Sequence, residues 1–156
     1  MPQKDLVGIT SKNCYEQDAI IIGAYRRNIA NICLDNNHEN LLGILRETEV
    51  RLLFLDTKQQ LDRVLQMQDI SVEKIVLIGN FIVDIDAVQK TMIQIISWNT
   101  FMATEIATYD EISPKPDSLA TISYSSGTSG LPKASLILGY RRLDLSLFRV
   151  LEYVFQ

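Results

Sequence analysis

The chain has 156 residues, 47% of them hydrophobic and 22% charged, with a formal net charge of −4. That length builds one compact domain with a real core and is too short for two comfortable ones. The mildly acidic balance, without a basic stripe, argues against a nucleic-acid partner, which would need a positive field across the domain.

The start, Met1-Pro2-Gln3-Lys4-Asp5, is polar and has no apolar signal-peptide segment behind it. Leu6-Val7-Gly8-Ile9 reads as a first strand, closed by the turn Thr10-Ser11-Lys12-Asn13. Asn13 followed by Glu16 resembles a capping box, and the helix it would open carries Ala19, Ile22, Gly23 and Arg26 along one side. Residues 29–34 form the next strand candidate, ending in Asp35-Asn36-Asn37. Cys14 and Cys33 lack a CxxC spacing and are expected to be plain buried thiols in a reducing, cytoplasmic setting. His38 is the only histidine, so a His-based triad or a multi-histidine metal site would need more than this chain supplies.

A second helix is expected from Leu41, Leu42, Leu45 and Thr48, then a strand over 51–55. Asp56-Thr57 should cap a third helix bearing Leu61, Val64 and Leu65, followed by a short apolar strand over 74–79. Strands apolar on both faces and alternating with helices mark a parallel sheet covered on both sides. Residues 6–79 therefore read as β/α units. Over 80–118 the pattern predicts a helix from Val88 to Met102, an extended return at 106–109, and a connector held extended by Pro114 and Pro116. No apolar run is long enough to span a bilayer.

The stretch with chemistry in it comes next. Residues 119–124 alternate as a strand and run into Ser125-Ser126-Gly127-Thr128-Ser129-Gly130-Leu131-Pro132-Lys133. Glycines let a backbone approach a ligand and present its N–H groups as a nest; hydroxyls add donors, and a lysine adds a point charge suited to phosphate. A Walker loop places Lys directly after its second glycine and opens a helix. Here Pro132 intervenes and Ala134-Ser135-Leu136-Ile137-Leu138 reads as a strand, so a strand–loop–strand hairpin over 119–138 is predicted. The bland alternative is a Ser/Gly connector with no ligand. Beyond it, Leu143, Leu147, Val150, Leu151 and Val154 lie on one face of a terminal helix over 141–156, widened by Leu145, Phe148 and Phe155. Such a helix calls for burial against a partner, or less favourably a membrane surface.

The run from Lys115 to Lys133 resembles the phosphate-binding signature of the adenylate-forming, AMP-binding superfamily, in the flavour of long-chain acyl-CoA synthetases. Upstream, Val7 to Asn13, Glu47 to Asp56 and Tyr109 to Ile112 are similar to the corresponding elements, so the resemblance covers residues 6–138. It implies an α/β fold: a mostly parallel sheet flanked by helices, with the phosphate hairpin near the C-terminus, as an incomplete version of the synthetase N-terminal domain. It further implies ATP and Mg2+, a fatty acid, and coenzyme A as co-substrate. Ser125, Ser126, Gly127, Thr128, Ser129, Gly130 and Lys133 would grip the polyphosphate, with no secure catalytic residue and no metal ligand. The sequence departs from the family at Ala134, where Gly is usual, and at Gly139-Tyr140-Arg141, where a Thr-His pair and Arg are usual. The family's Tyr-Gly-x-Thr-Glu segment, ribose-holding aspartate and carboxy-terminal lysine have no counterpart here, so the chain is expected to be an amino-terminal portion without turnover of its own. The alternative is a non-catalytic ATP-binding or interaction module that associates with a full-length homologous synthetase.

Overall fold

The computed structural model describes residues 6–34, 40–83, 88–104, 118–126 and 132–138, and at 125–126, 132–133 and 138 only their backbone. In chain order the elements are β1 (Leu6–Thr10), α1 (Tyr15–Arg26), β2 (Ala30–Cys33), α2 (Leu41–Thr48), β3 (Leu52–Leu55), α3 (Lys58–Leu65), β4 (Lys74–Leu77), β5 (Gln94–Ser97), α4 (Trp98–Met102), β6 (Leu119–Ser126) and β7 (Pro132–Leu138). They build a seven-stranded sheet in the order β5-β4-β3-β1-β2-β6-β7. All neighbours are parallel except the β6–β7 pair, which is antiparallel.

The strands are short and apolar because both faces are covered. Alternation sends Leu53, Leu55, Ile75, Leu77 and Ile32 to one side, where Leu41, Ile44 and Leu45 of α2 and Leu61 and Val64 of α3 meet them. Phe54, Val76, Val7 and Ile9 point to the other side, under Ile20 and Ala24 of α1 and against Trp98 and Phe101 of α4. The chain steps from β1 outward to β2, then crosses back over β1 to β3. Crossovers of one hand that reverse direction in this way put α1 and α2 on opposite faces.

The α3 boundary follows the sequence closely. Thr57 is the N-cap, its hydroxyl accepting from Gln60 N, while the Gln60 side chain accepts from Thr57 N at 3.2 Å. The capping box expected at Asn13 and Glu16 does not form. Cys14 is the N-cap of α1 and makes no side-chain cap hydrogen bond, because the helix begins one residue later than Asn13 would require. The α1 side that packs is Ile20, Ala24 and Tyr25, and the stripe of Ala19, Ile22, Gly23 and Arg26 lies away from it. Both thiols are free and half-buried rather than fully buried.

The helix expected over 88–102 is corrected by β5. Gln94–Ser97 pairs in parallel with β4, Ile95 opposite Ile75 and Ile96 opposite Val76, and within 88–102 only Val88, Gln89 and Trp98–Met102 are helical. Two adjacent isoleucines serve opposite faces of a sheet equally well, and the sheet edge decides between the two periods. The expectations over 106–109 and 114–116, the terminal helix over 141–156, and His38 fall outside the described residues. Among the described residues no helix is long and apolar enough to cross a membrane.

Just before β3 and β4, Arg51 and Glu73 form a two-pronged pair, Nε to Oε1 and Nη2 to Oε2, each at 2.8 Å. The guanidinium holds the Glu73 carboxyl below its ordinary range. A depressed carboxyl contributes stability above its unfolded pKa and loses it as pH falls through the folded value. Glu73→Gln is therefore expected to lower the urea midpoint at pH 7 and to match the wild type at pH 3. Urea titrations at the two pH values check this, and added salt should shrink the difference at pH 7.

Candidate phosphate-binding site

Every parallel strand ends at the same edge of the sheet. Open α/β sheets bind ligands at this carboxyl edge, by preference where the strand order reverses, here between β1 and β3. The turns at that point are tied together. Lys12 N donates to Asp56 Oδ2 at 2.7 Å, and Asp56 N and Thr57 N both donate to Gln60 Oε1 at 3.2 Å. Ile78 N donates to Leu55 O at 2.7 Å, and Leu34 N to Ile9 O at 2.8 Å. Ser11 Oγ, Asp56 Oδ1 and Gln60 Nε2 are buried here without a hydrogen-bond partner.

The hairpin leaves from this edge too. β6 is parallel to β2 with Ser123 opposite Cys33, the last residue of β2, and continues for three more residues to Ser126. At the usual rise those three residues carry the hairpin stem roughly 10 Å beyond its neighbour. The strand returns as β7, Ser126 opposite Pro132 and Ser125 opposite Lys133. The backbone positions of Ser125, Ser126 and Lys133 are thus brought together on adjoining strands. Gly127, Thr128, Ser129 and Gly130 fall between the two strands and outside the described residues. The strand–loop–strand reading holds, and β7 begins at Pro132, two residues earlier than the apolar run suggested.

Two contacts fix the stem from below. Asn31, fully buried on β2, donates through Nδ2 to Ala120 O at 2.8 Å, beside the register shift between Leu119 and Thr121. Higher up, Tyr124 packs against the core on the α2 side and its hydroxyl donates to Glu47 Oε2 at 3.4 Å. Burial, then the Glu47 charge, pushes the Tyr124 phenol above its ordinary value, so it stays protonated. Nothing in the local sequence pairs Glu47 with Tyr124; they lie 77 residues apart.

A cavity of about 840 Å³ opens at the opposite, amino edge, lined by Leu6, Val7, Thr48, Arg51, Glu73 and Lys74 among others. Its polar walls are already joined in the Arg51–Glu73 pair, and it lies at the opposite edge of the sheet from the end of the hairpin stem. We do not assign the chemistry to it. No group of three or more His, Cys, Asp or Glu side chains able to hold a metal occurs among the described residues.

Comparison with known proteins follows the same lines. The model of a family described as AMP-binding enzyme matches residues 1–137. The adenylation domain of a carboxylate reductase from Mycobacterium chelonae superposes with a TM-score of 0.71 at 19% identity, over 90% of this chain and 24% of that one. An anthranilate CoA ligase, AuaEII, in complex with anthranoyl-AMP gives 0.71 at 18% identity, over 87% and 25%. A red-emitting luciferase from Phrixothrix hirtus gives 0.65 at 20% identity, over 89% and 27%. Likenesses at these identities establish a shared fold. The chain spans about a quarter of the length of these structures. Comparison with curated protein sequences finds no match.

Proposed function

Because this chain belongs to the AMP-binding enzyme family, we propose that the bend from Ser125 to Lys133 holds the β- and γ-phosphates of ATP during activation of a carboxylic acid. The observation that carries the reading is the hairpin stem projecting from the carboxyl edge, with a hydroxyl-rich, glycine-containing linker between its strands. In adenylate formation a carboxylate oxygen of the substrate attacks the α-phosphorus, and the bond to pyrophosphate breaks. The nucleophile comes from the substrate, so the protein's tasks are in-line positioning and neutralising charge on the departing group. Backbone N–H groups with Ser125, Ser126, Thr128 and Ser129 would supply donors, Gly127 and Gly130 close approach, and Lys133 a compensating charge. Mg2+ enters as the counter-ion that ATP carries.

The finer assignment is to long-chain fatty acids, with the acyl-adenylate captured by the thiol of coenzyme A and AMP released. It is supported by the resemblance of the 115–133 run. This chain corresponds to the phosphate side of such a site, so we assign it nucleotide binding without turnover by itself. A second reading, an interaction module that pairs with a full-length homologous synthetase, is favoured by Leu136, 65% exposed on the edge strand β7.

Lys133→Ala is expected to weaken binding of MgATP by tenfold or more, about 1.4 kcal/mol or above, with an unchanged melting temperature. Isothermal titration of both proteins checks it. Equal affinity would reduce the bend to a connector. Incubation with ATP, CoA and a fatty acid separates the two readings further: thioester formed by this chain alone would overturn the no-turnover assignment, and co-purification with a longer homologue would favour the interaction module.

A further inference from the structure

We propose that Tyr124 and Glu47 form a positioning pair that sets the stem of the phosphate hairpin, so that a residue on α2 tunes how tightly the chain holds a nucleoside triphosphate. The inference rests on the polyphosphate reading of the 125–133 bend.

Packing alone does not require a tyrosine at this position. The ring sits against the apolar cluster that also takes in Ile32 and Ile122 on the sheet and Leu41, Ile44 and Leu45 on α2. A phenylalanine would serve that cluster without a hydroxyl to desolvate. The hydroxyl finds its place by reaching Glu47 Oε2 at 3.4 Å, as a partly buried tyrosine normally must. The acceptor is a carboxylate, but at 3.4 Å the contact is long, so it counts as one ordinary hydrogen bond rather than a strong charge-assisted one. Its direction is settled, because burial and the Glu47 charge both keep the proton on Tyr124.

The contact bridges elements that the sheet does not join directly. β6 is hydrogen-bonded to β2 and β7, whereas α2 lies on the face of the sheet. Two residues after Tyr124 the strand ends at Ser126, opposite Pro132, and the loop begins. The pairing with β2 runs as far as Ser123, opposite Cys33, so Tyr124 stands where β6 passes beyond its parallel neighbour. A clamp at this height limits how the projecting stem tilts relative to the sheet. Ligand-gripping groups displaced by a fraction of an ångström lose much of their grip, which is why positioning residues behind a loop matter.

The test is MgATP binding by titration calorimetry on the whole chain, with melting temperatures taken in parallel. Tyr124→Phe and Glu47→Ala should each weaken binding roughly three- to tenfold, the range of one ordinary hydrogen bond converted to affinity. Glu47→Gln keeps an acceptor oxygen and should restore most of the affinity. The double variant Tyr124→Phe/Glu47→Ala should bind no more weakly than either single one, since both remove the same contact. Glu47 is exposed, so its variants should remain folded. Wild-type affinity in Tyr124→Phe and Glu47→Ala, or losses that multiply in the double variant, would overturn the inference while leaving the phosphate reading intact. A wild-type chain that binds neither MgATP nor tripolyphosphate would overturn both.

Discussion

Phe54→Ala is expected to be among the most damaging single substitutions, lowering the unfolding free energy by about 3–5 kcal/mol. Phe54 is 2% exposed at the centre of β3 and the largest residue of the smaller core, beneath α1 and α4. Its ring meets Phe101 edge-on at 5.5 Å and Trp98 at 6.5 Å between centroids. α4 has only five residues and is too short to be stable by its own hydrogen bonds. It stays in place through these aromatic contacts and the Ser97 cap, whose Oγ accepts from Thr100 N at 3.1 Å. Removing the ring leaves a void that two flanking aromatics cannot fill without moving α4. Trp98 is the only tryptophan in the chain, so its fluorescence reports this site directly. The variant should show emission shifted to the red before global unfolding, and Phe54→Leu should recover part of the loss. A denaturant titration followed by Trp98 emission decides it; a loss below about 1 kcal/mol would mean that the aromatic cluster is loosely packed.

Gly79→Ala should be nearly as severe, for a different reason. A Cβ at Gly79 would lie 2.1 Å from the Asp56 carbonyl oxygen and 3.1 Å from Phe81 Cε1. The obstructing atom is backbone, and it cannot swing aside as a side chain would. Asp56 is held through its amide to Gln60 and its carboxylate to Lys12 N, and the chain next to it by Ile78 N to Leu55 O. Relief would require the exits of β3 and β4 to separate. We expect a loss of about 2–4 kcal/mol, at the upper end of overpacking effects, and weaker MgATP binding because the carboxyl edge shifts. Gly23→Ala is the control. Nothing lies within 4 Å of a Cβ there, in the middle of α1, so it should stabilise the protein by about 0.5–1 kcal/mol. Thermal melts of the two variants should move in opposite directions. A Gly79→Ala protein as stable as the wild type would show that the two strand exits are free to part.

The local codes in this chain were legible from residues near one another. The first four strands are apolar on both faces and punctuated by polar turns, and Thr57 with Gln60 spells a helix start within four positions. Thr121 to Lys133 marks a hairpin with a donor-rich bend by composition and spacing alone, because turn and donor chemistry is local to a loop. What stayed illegible depends on distant pairings. Gln94–Ser97 became β5 because β4 offered an open edge; its isoleucine pair suits a helix as well as a strand. The N-cap of α1 at Cys14 rather than Asn13 was decided where β1 hands the chain to the helix.

For the candidate site the division is the same. The sequence by itself determined which residues of the bend proposed to hold phosphate carry hydroxyls, glycines and charge. Only the tertiary structure decided that the bend leaves the carboxyl edge and that Glu47 reaches Tyr124 from α2. Strand order and side-chain reach across a sheet follow from how faces are buried, and short-range spacing contains no record of them.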